Sequence, residues 1–156
     1  MFDINVMSVV HAVRHALSWL KKSKSPCIVD ISSIAAAEPG QINPHHNSAK
    51  TAVINLTKHL SDAFAPDKIL VNVICPGQVA NESRDQLAED LAQAEGLSVA
   101  AAIEKIDSQG AAQISLKRLG TPADIGEFVA FLALDRASWI TGSCFHLNGG
   151  KVRSPF

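Results

Sequence analysis

Tyrosine is absent from this chain of 156 residues, so no phenol is available for proton transfer. An excess of charge of either sign is missing as well: 14 Lys+Arg stand against 15 Asp+Glu, for a formal net charge of -1. A chain without a cationic run has no stripe to set against phosphates, which argues against a nucleic-acid partner. No apolar run reaches the ~18 residues that span a bilayer, and the start of the chain lacks the cationic, apolar and small-residue order of a signal peptide. Cysteine is scarce and odd in number: Cys27, Cys75 and Cys144 are widely spaced and form neither a disulfide framework nor a metal knuckle. They read as three buried thiols in a reducing, cytoplasmic setting. No metal ligand set is expected. His11 and His15 stand one helical turn apart but have no third ligand or acidic partner nearby.

What is present has the pattern of one α/β domain. Hydrophobic residues make up 47% of the chain, too many for a disordered one. Val6, Val9, Val10, Val13, Leu17 and Leu20 recur at three- and four-residue steps, which predicts a helix over the first twenty residues. Ser25 and Pro26 break it, and residues 27–31 (C-I-V-D-I) read as a β-branched strand. A loop follows from Ser32 to Pro44. A second helix is predicted from about His46 to Phe64, with Ala49, Val53, Leu56, Leu60 and Ala63 inward. Residues 69–74 (I-L-V-N-V-I) form a second buried-type strand, ended by Cys75, Pro76 and Gly77. Residues 80–118 change to an Ala-, Gln- and acid-rich composition, with two helical stretches divided at Gly96, Leu97 and Ser98; such a long segment after a strand end reads as a substrate lid. Thr121, Pro122 and Asp124 mark a helix start, and that helix runs to about Leu134. Residues 143–147 are the last strand. This order predicts a parallel sheet with right-handed crossovers, and sites in such sheets lie beyond the carboxyl ends of the strands.

Several motifs resemble those of the short-chain dehydrogenases/reductases: I-V-D-I-S-S at 28–33, H-N-S-A-K-T-A-V at 46–53 and I-L-V-N-V-I-C-P-G at 69–77. L-K-R-L-G-T-P-A-D-I-G at 116–126, W-I-T-G at 139–142 and N-G-G at 148–150 are similar to the family's C-terminal signature. The resemblance covers essentially the whole chain, but only about the second half of a family member. It implies an incomplete Rossmann-type parallel sheet in a single partial domain over residues 1–156, holding the family's last three strands. The N-terminal half, with its Gly-rich dinucleotide turn, is expected to be absent. Residues 28–31 should then offer an unpaired, apolar edge, and the isolated chain should be marginally stable or self-associate.

The resemblance also implies a site. The family's catalysts are Asn, Ser, Tyr and Lys in that order. Asn5, Ser33 and Lys50 match the first, second and fourth, while His46 occupies the tyrosine position, four residues before Lys50. Positions 46 and 50 leave the same helix face. By resemblance, Ser33 holds a substrate carbonyl oxygen, Lys50 grips the nicotinamide ribose, and Asn5 anchors backbone and water. Pro76, Gly77 and the backbone of Val79 line the nicotinamide, with Asn81 where the family has threonine. A histidine at position 46 offers a ring N–H in place of a phenol, is a poorer acid and reaches less far. The implied activity is that of an NAD(P)-dependent oxidoreductase acting on a carbonyl or secondary alcohol, impaired at the acid position. The alternative is a non-catalytic remnant that partners intact relatives. The implied cofactor is NAD or NADP, met at its nicotinamide end, and the implied assembly is a homo-oligomer or one with intact relatives.

Overall fold

The computed structural model describes residues 1–38 and 43–153 of the chain. Its centre is a three-stranded parallel sheet in the order β1-β2-β3, formed by Cys27–Ile31, Leu70–Pro76 and Cys144–Leu147. Cys27 pairs with Leu70 and Ile31 with Ile74 on one side; Val73 pairs with Cys144 and Pro76 with Leu147 on the other. The middle strand β2 has partners on both sides, and its residues 71–75 are all buried. That explains its apolar sequence: a parallel strand covered on both faces reads as a continuous run, not an alternating one.

Helices cover the two faces. Helix α2 (Pro44–Phe64) lies against β2 and buries Ala49, Val53, Thr57 and Ser61. Helix α5 (Pro122–Leu132) packs on the opposite face, where Ile74, Leu132 and Ala137 form a core with Val29, Ile125, Phe128 and Phe145 around them. Phe128 meets Phe145 edge-on, with ring centroids 5.0 Å apart. The expected start of α5 is present as a full capping box: Thr121 accepts from the Asp124 amide at 3.2 Å, and Asp124 accepts from the Thr121 amide at 2.7 Å. Arg118 grips the same carboxylate at 2.7 and 2.9 Å. These bonds hold the Asp124 carboxyl well below the usual range, the arginine being the largest cause.

The segment read as a lid is a hairpin of helices α3 (Glu82–Glu95) and α4 (Val99–Ala112), divided where the sequence predicts. Ala88, Ala92 and Ala102 form its seam. Its two ends meet: Val79 and Gly120 form a single parallel bridge, with Ala80 N–H donating to Gly120 at 3.0 Å and Gly120 N–H donating to Gln78 at 2.9 Å.

Some sequence expectations need adjustment. The first helix is not uniform. Asp3–Met7 is a π-helical turn, α1 proper is Ser8–Leu20, and only Val13 of its predicted face is buried. Ala63 is exposed. Helix α2 begins at Pro44, two residues early, because Asn43 takes the left-handed conformation (φ 62°) and Pro44 fits the first helical turn. Residues 39–42 of the predicted loop lie outside the described residues. Only Cys75 of the three thiols is buried; Cys27 is half-buried and Cys144 exposed, since β3 is an edge strand. Strand β1 is the other edge of this sheet, and Ile31 at its end is 45% exposed. His11 and His15 are exposed. Among the described residues, no helix is long and apolar enough to cross a membrane.

Two buried polar side chains test this packing. The Asn72 amide donates to Ile140 O at 2.8 Å and accepts from Ser143 N at 3.1 Å, which fastens the segment before β3. Leucine there strands both backbone groups, so Asn72→Leu is expected to cost about 2–3 kcal/mol in chemical denaturation. Asp30 is the second. Burial raises its carboxyl above the ordinary value, and a hydrogen bond from Thr57 at 2.7 Å pulls it back in part. A raised folded value means the native state holds the proton more tightly than the unfolded chain. Stability from this group is therefore greatest below the ordinary carboxylate value near ~3.9 and falls as pH rises through the folded value. A neutral amide at this position removes that loss: Asp30→Asn should equal or exceed the parent's stability at pH 7, with the difference closing below about pH 4, as read by denaturation at a series of pH values.

Candidate functional site

The carboxyl ends of β1 and β2 meet the N-terminal half of α2, and Ser33, His46 and Lys50 lie on these elements. Strand β1 runs into Ser32 and Ser33. Ser33 caps the short 3-10 turn Ile34–Ala36, its oxygen accepting from Ala35 N–H at 3.1 Å. That bond uses the oxygen as acceptor and leaves the hydroxyl proton for another acceptor. The turn packs against α2.

Lys50 joins the two elements. Its ammonium donates to the Ile31 carbonyl at 3.0 Å, while its own carbonyl accepts from the Ser32 hydroxyl at 2.7 Å. This reciprocal pair fixes the lysine at the end of β1, against Ile31 and Ser32. Burial lowers the Lys50 pKa from its ordinary value, partly offset by the nearby Cys75 sulfur. An ammonium has three donors, and one is spent on Ile31, so two remain. His46 is half-buried, one turn before Lys50 in α2, and its ring makes no hydrogen bond or ion pair with a described residue.

Asn5 lies inside the π-helical turn Asp3–Met7, which packs against α2. Its amide donates to Met1 O at 3.0 Å, so its side chain bonds within its own turn. Single π-helical turns inside helices are frequent at functional sites. Asn5 thus reaches the helix that carries His46 and Lys50, without a hydrogen bond to either.

The nicotinamide-lining candidates form a second group at the end of β2. Pro76 closes the strand, and Gly77 N–H donates to Leu147 O at 2.9 Å. A side chain at Gly77 would stand 2.8 Å from the Asn148 Cα, so the close passage of these two backbones requires glycine. At Val79 the bridge to Gly120 uses the carbonyl of residue 78 and the amide of residue 80. Groups of adjacent strand residues point to opposite sides, so Val79's own N–H and C=O face away from Gly120. Asn81 is exposed and caps α3, accepting from Arg84 N–H at 3.1 Å, which commits its carbonyl oxygen and leaves its NH2. A cavity of about 350 Å³ is lined by Gly77, Val79 and Asn81 on the sheet side and by Leu87, Ile106 and Leu119 of the lid.

A third group has no counterpart in the sequence reading. Cys75, Cys144 and His146 lie on the sheet face that α2 partly covers, with their ligand-type atoms within 4.8 Å of one another. Cys75 Sγ is 3.4 Å from Cys144 Sγ. The two thiols share a hydrogen bond, which makes Cys75 the more acidic and Cys144 the less acidic of the pair. The C-x-H spacing at 144–146 signals a common strand face, but its pairing with Cys75 comes only from the register of β2 against β3.

Comparison with known proteins bears on the family and the fold. Residues 1–151 match the family model described as enoyl-(acyl carrier protein) reductase. The chain is 33% identical over 150 residues to 3-oxoacyl-(acyl carrier protein) reductase FabG of Staphylococcus aureus, covering 95% of this chain and 54% of that protein. It therefore spans about half the length of the curated relatives it matches. Among solved structures, ligand-free aldohexose dehydrogenase of Thermoplasma acidophilum is 32% identical with a TM-score of 0.87, covering 99% of this chain and 59% of that one. An NADPH-bound short-chain oxidoreductase of Pseudomonas aeruginosa, described as containing an atypical catalytic center, is 29% identical with a TM-score of 0.84, covering 98% of this chain and 56% of that one. With a strand-end serine, a helix-borne lysine and a parallel sheet behind these matches, the chain belongs to the short-chain dehydrogenase/reductase family.

Proposed function

We propose that this chain carries the substrate- and nicotinamide-facing half of an NAD(P)-dependent oxidoreductase acting on a carbonyl or secondary alcohol, in the cytoplasm, with His46 at the acid position. The observation that carries the reading is Lys50. Its ammonium is held on the Ile31 carbonyl beside Ser33, one helical turn after His46. A solvated helix lysine needs no such anchor.

The residues present fit the nicotinamide end of the cofactor. Gly77 offers no side chain to block it, the amide and carbonyl of Val79 are turned from the bridge, and Pro76 and Asn81 frame the same strand end. The two remaining Lys50 donors suit ribose hydroxyls. Bound there, the dihydronicotinamide supplies the hydride that a carbonyl reduction requires.

The chain's own groups handle the oxygen. Ser33 donates its remaining proton to the substrate carbonyl oxygen, orienting the carbonyl and favouring charge on that oxygen. The His46 ring N–H faces the same task as an acid. Lys50 positions the cofactor ribose and presents positive charge near the reacting oxygen. Asn5 is a positioning residue that shapes the first turn against α2. The lid helices α3 and α4 cover the substrate, a small molecule with a carbonyl or secondary alcohol, and exclude water. The Pseudomonas relative, NADPH-bound and described as containing an atypical catalytic center, supports a family member whose catalytic residues depart from the usual set. Assembly as a homo-oligomer, or with intact relatives, belongs to the same proposal, and the exposed β1 edge supports it.

A second reading is a non-catalytic partner of intact relatives, favoured by histidine in place of tyrosine at position 46. Two measurements separate the readings. With an N-terminal half carrying the dinucleotide turn joined to residues 1–156, NADPH fluorescence titration should show saturable binding whose affinity falls on Lys50→Ala under the first reading and is indifferent to that change under the second. In that complete two-half protein, His46→Tyr should raise the rate of NADPH-dependent carbonyl reduction about 10²-fold, the scale of a restored acid–base group. An unchanged rate would remove the assignment of His46 to the acid position.

A further inference from the structure

Cys75 and His146 are direct partners in the register of β2 against β3, and Cys144 lies two residues before His146 on the same strand face. Their three side chains therefore converge from one side of the sheet. All three ligand-type atoms lie within 4.8 Å of one another, and the two sulfurs are 3.4 Å apart. We propose that Cys75, Cys144 and His146 form a three-ligand binding site for a zinc ion.

The geometry suits a metal better than a disulfide. Zinc binds sulfur at about 2.3 Å and imidazole nitrogen at about 2.0–2.1 Å in a tetrahedral array, which sets ligand atoms roughly 3.5–3.8 Å apart. The observed sulfur separation needs only a slight spread to meet this. Cys75 and Cys144 are diagonal across the strands, so rise and strand spacing place their Cα atoms about 8 Å apart. That is beyond the ~7 Å limit for a bridge without backbone movement.

The donor set chooses the ion. Two thiolates and an imidazole favour zinc and disfavour the hard ions magnesium and calcium. Two thiolates also neutralise a divalent charge, so the site adds no net charge beside the Lys50 ammonium. Cys75 is buried on the middle strand, so its sulfur is held in place by the strand register and not by a mobile loop. Cys144 is exposed, so an ion enters from solvent and the fourth position stays open to water. This site stands independently of hydride transfer: it uses none of Ser33's hydroxyl, His46 or the Lys50 donors.

Cobalt(II) is the probe. Titration of the reduced 156-residue chain without oxygen should give thiolate-to-cobalt charge-transfer bands and tetrahedral visible bands, saturating at one equivalent and displaced by zinc. Cys144→Ser, on the exposed edge, should weaken binding at least about tenfold, and His146→Gln should do the same, since loss of even an outer partner costs about 10–100-fold. Cys27→Ser should leave the titration unchanged. Absence of the charge-transfer bands would overturn the proposal, as would bands that survive Cys144→Ser at full affinity. Peptide mass showing Cys75 and Cys144 joined to each other in the purified chain would also overturn it.

Discussion

Burial of β2 is the constraint on which the rest of this molecule depends. A parallel strand with neighbours on both sides and helices over both faces has no solvent to satisfy its polar groups. Its backbone must pair with β1 and β3, and its one polar side chain, Asn72, must find partners in the chain leading to β3. Once those bonds are made, the ends of all three strands fall in one place. Gly142 shows how little slack remains on the way to β3: it has φ 70°, and a side chain there would stand 2.7 Å from the Ser61 hydroxyl of α2.

The candidate site is a by-product of that alignment. Where β1 stops, its last carbonyl is unpaired by the sheet and becomes the anchor for Lys50. Where β2 stops, proline and glycine turn the chain toward the lid. Neither group relies on a flexible loop for its placement. The lysine ammonium bonds to the last residue of β1 and its carbonyl to the serine that follows, so helix and strand cannot slide past one another without breaking two hydrogen bonds.

How much of this was legible in the sequence depended on whether a signal was local. The bounds of β1, the break between α3 and α4, and the capping box of α5 are all written in adjacent residues, and the structure agrees with each. Ser33, His46 and Lys50 were singled out by motif spacing, and the structure puts Lys50 on the Ile31 carbonyl at the end of β1, one turn after His46. The π-helical turn at Asn5 and the left-handed Asn43 were not, because nothing in their composition separates them from ordinary helix or loop. The Cys75–Cys144–His146 cluster was least legible of all. Its two sulfurs are 69 positions apart in the chain, and a shift of one residue in strand register would turn two of the three side chains to the other face.

The bridge between Val79 and Gly120 closes the lid segment at its base. The forty or so residues between are therefore tied off like a cassette: the cost of bringing their ends together depends only weakly on what they enclose. Their internal seam of alanines shares no side chain with the core under α5. Lengthening or exchanging this segment would re-aim what sits over the strand ends while leaving the sheet's register as it is. A scaffold built this way lets selectivity drift while its chemistry stands still.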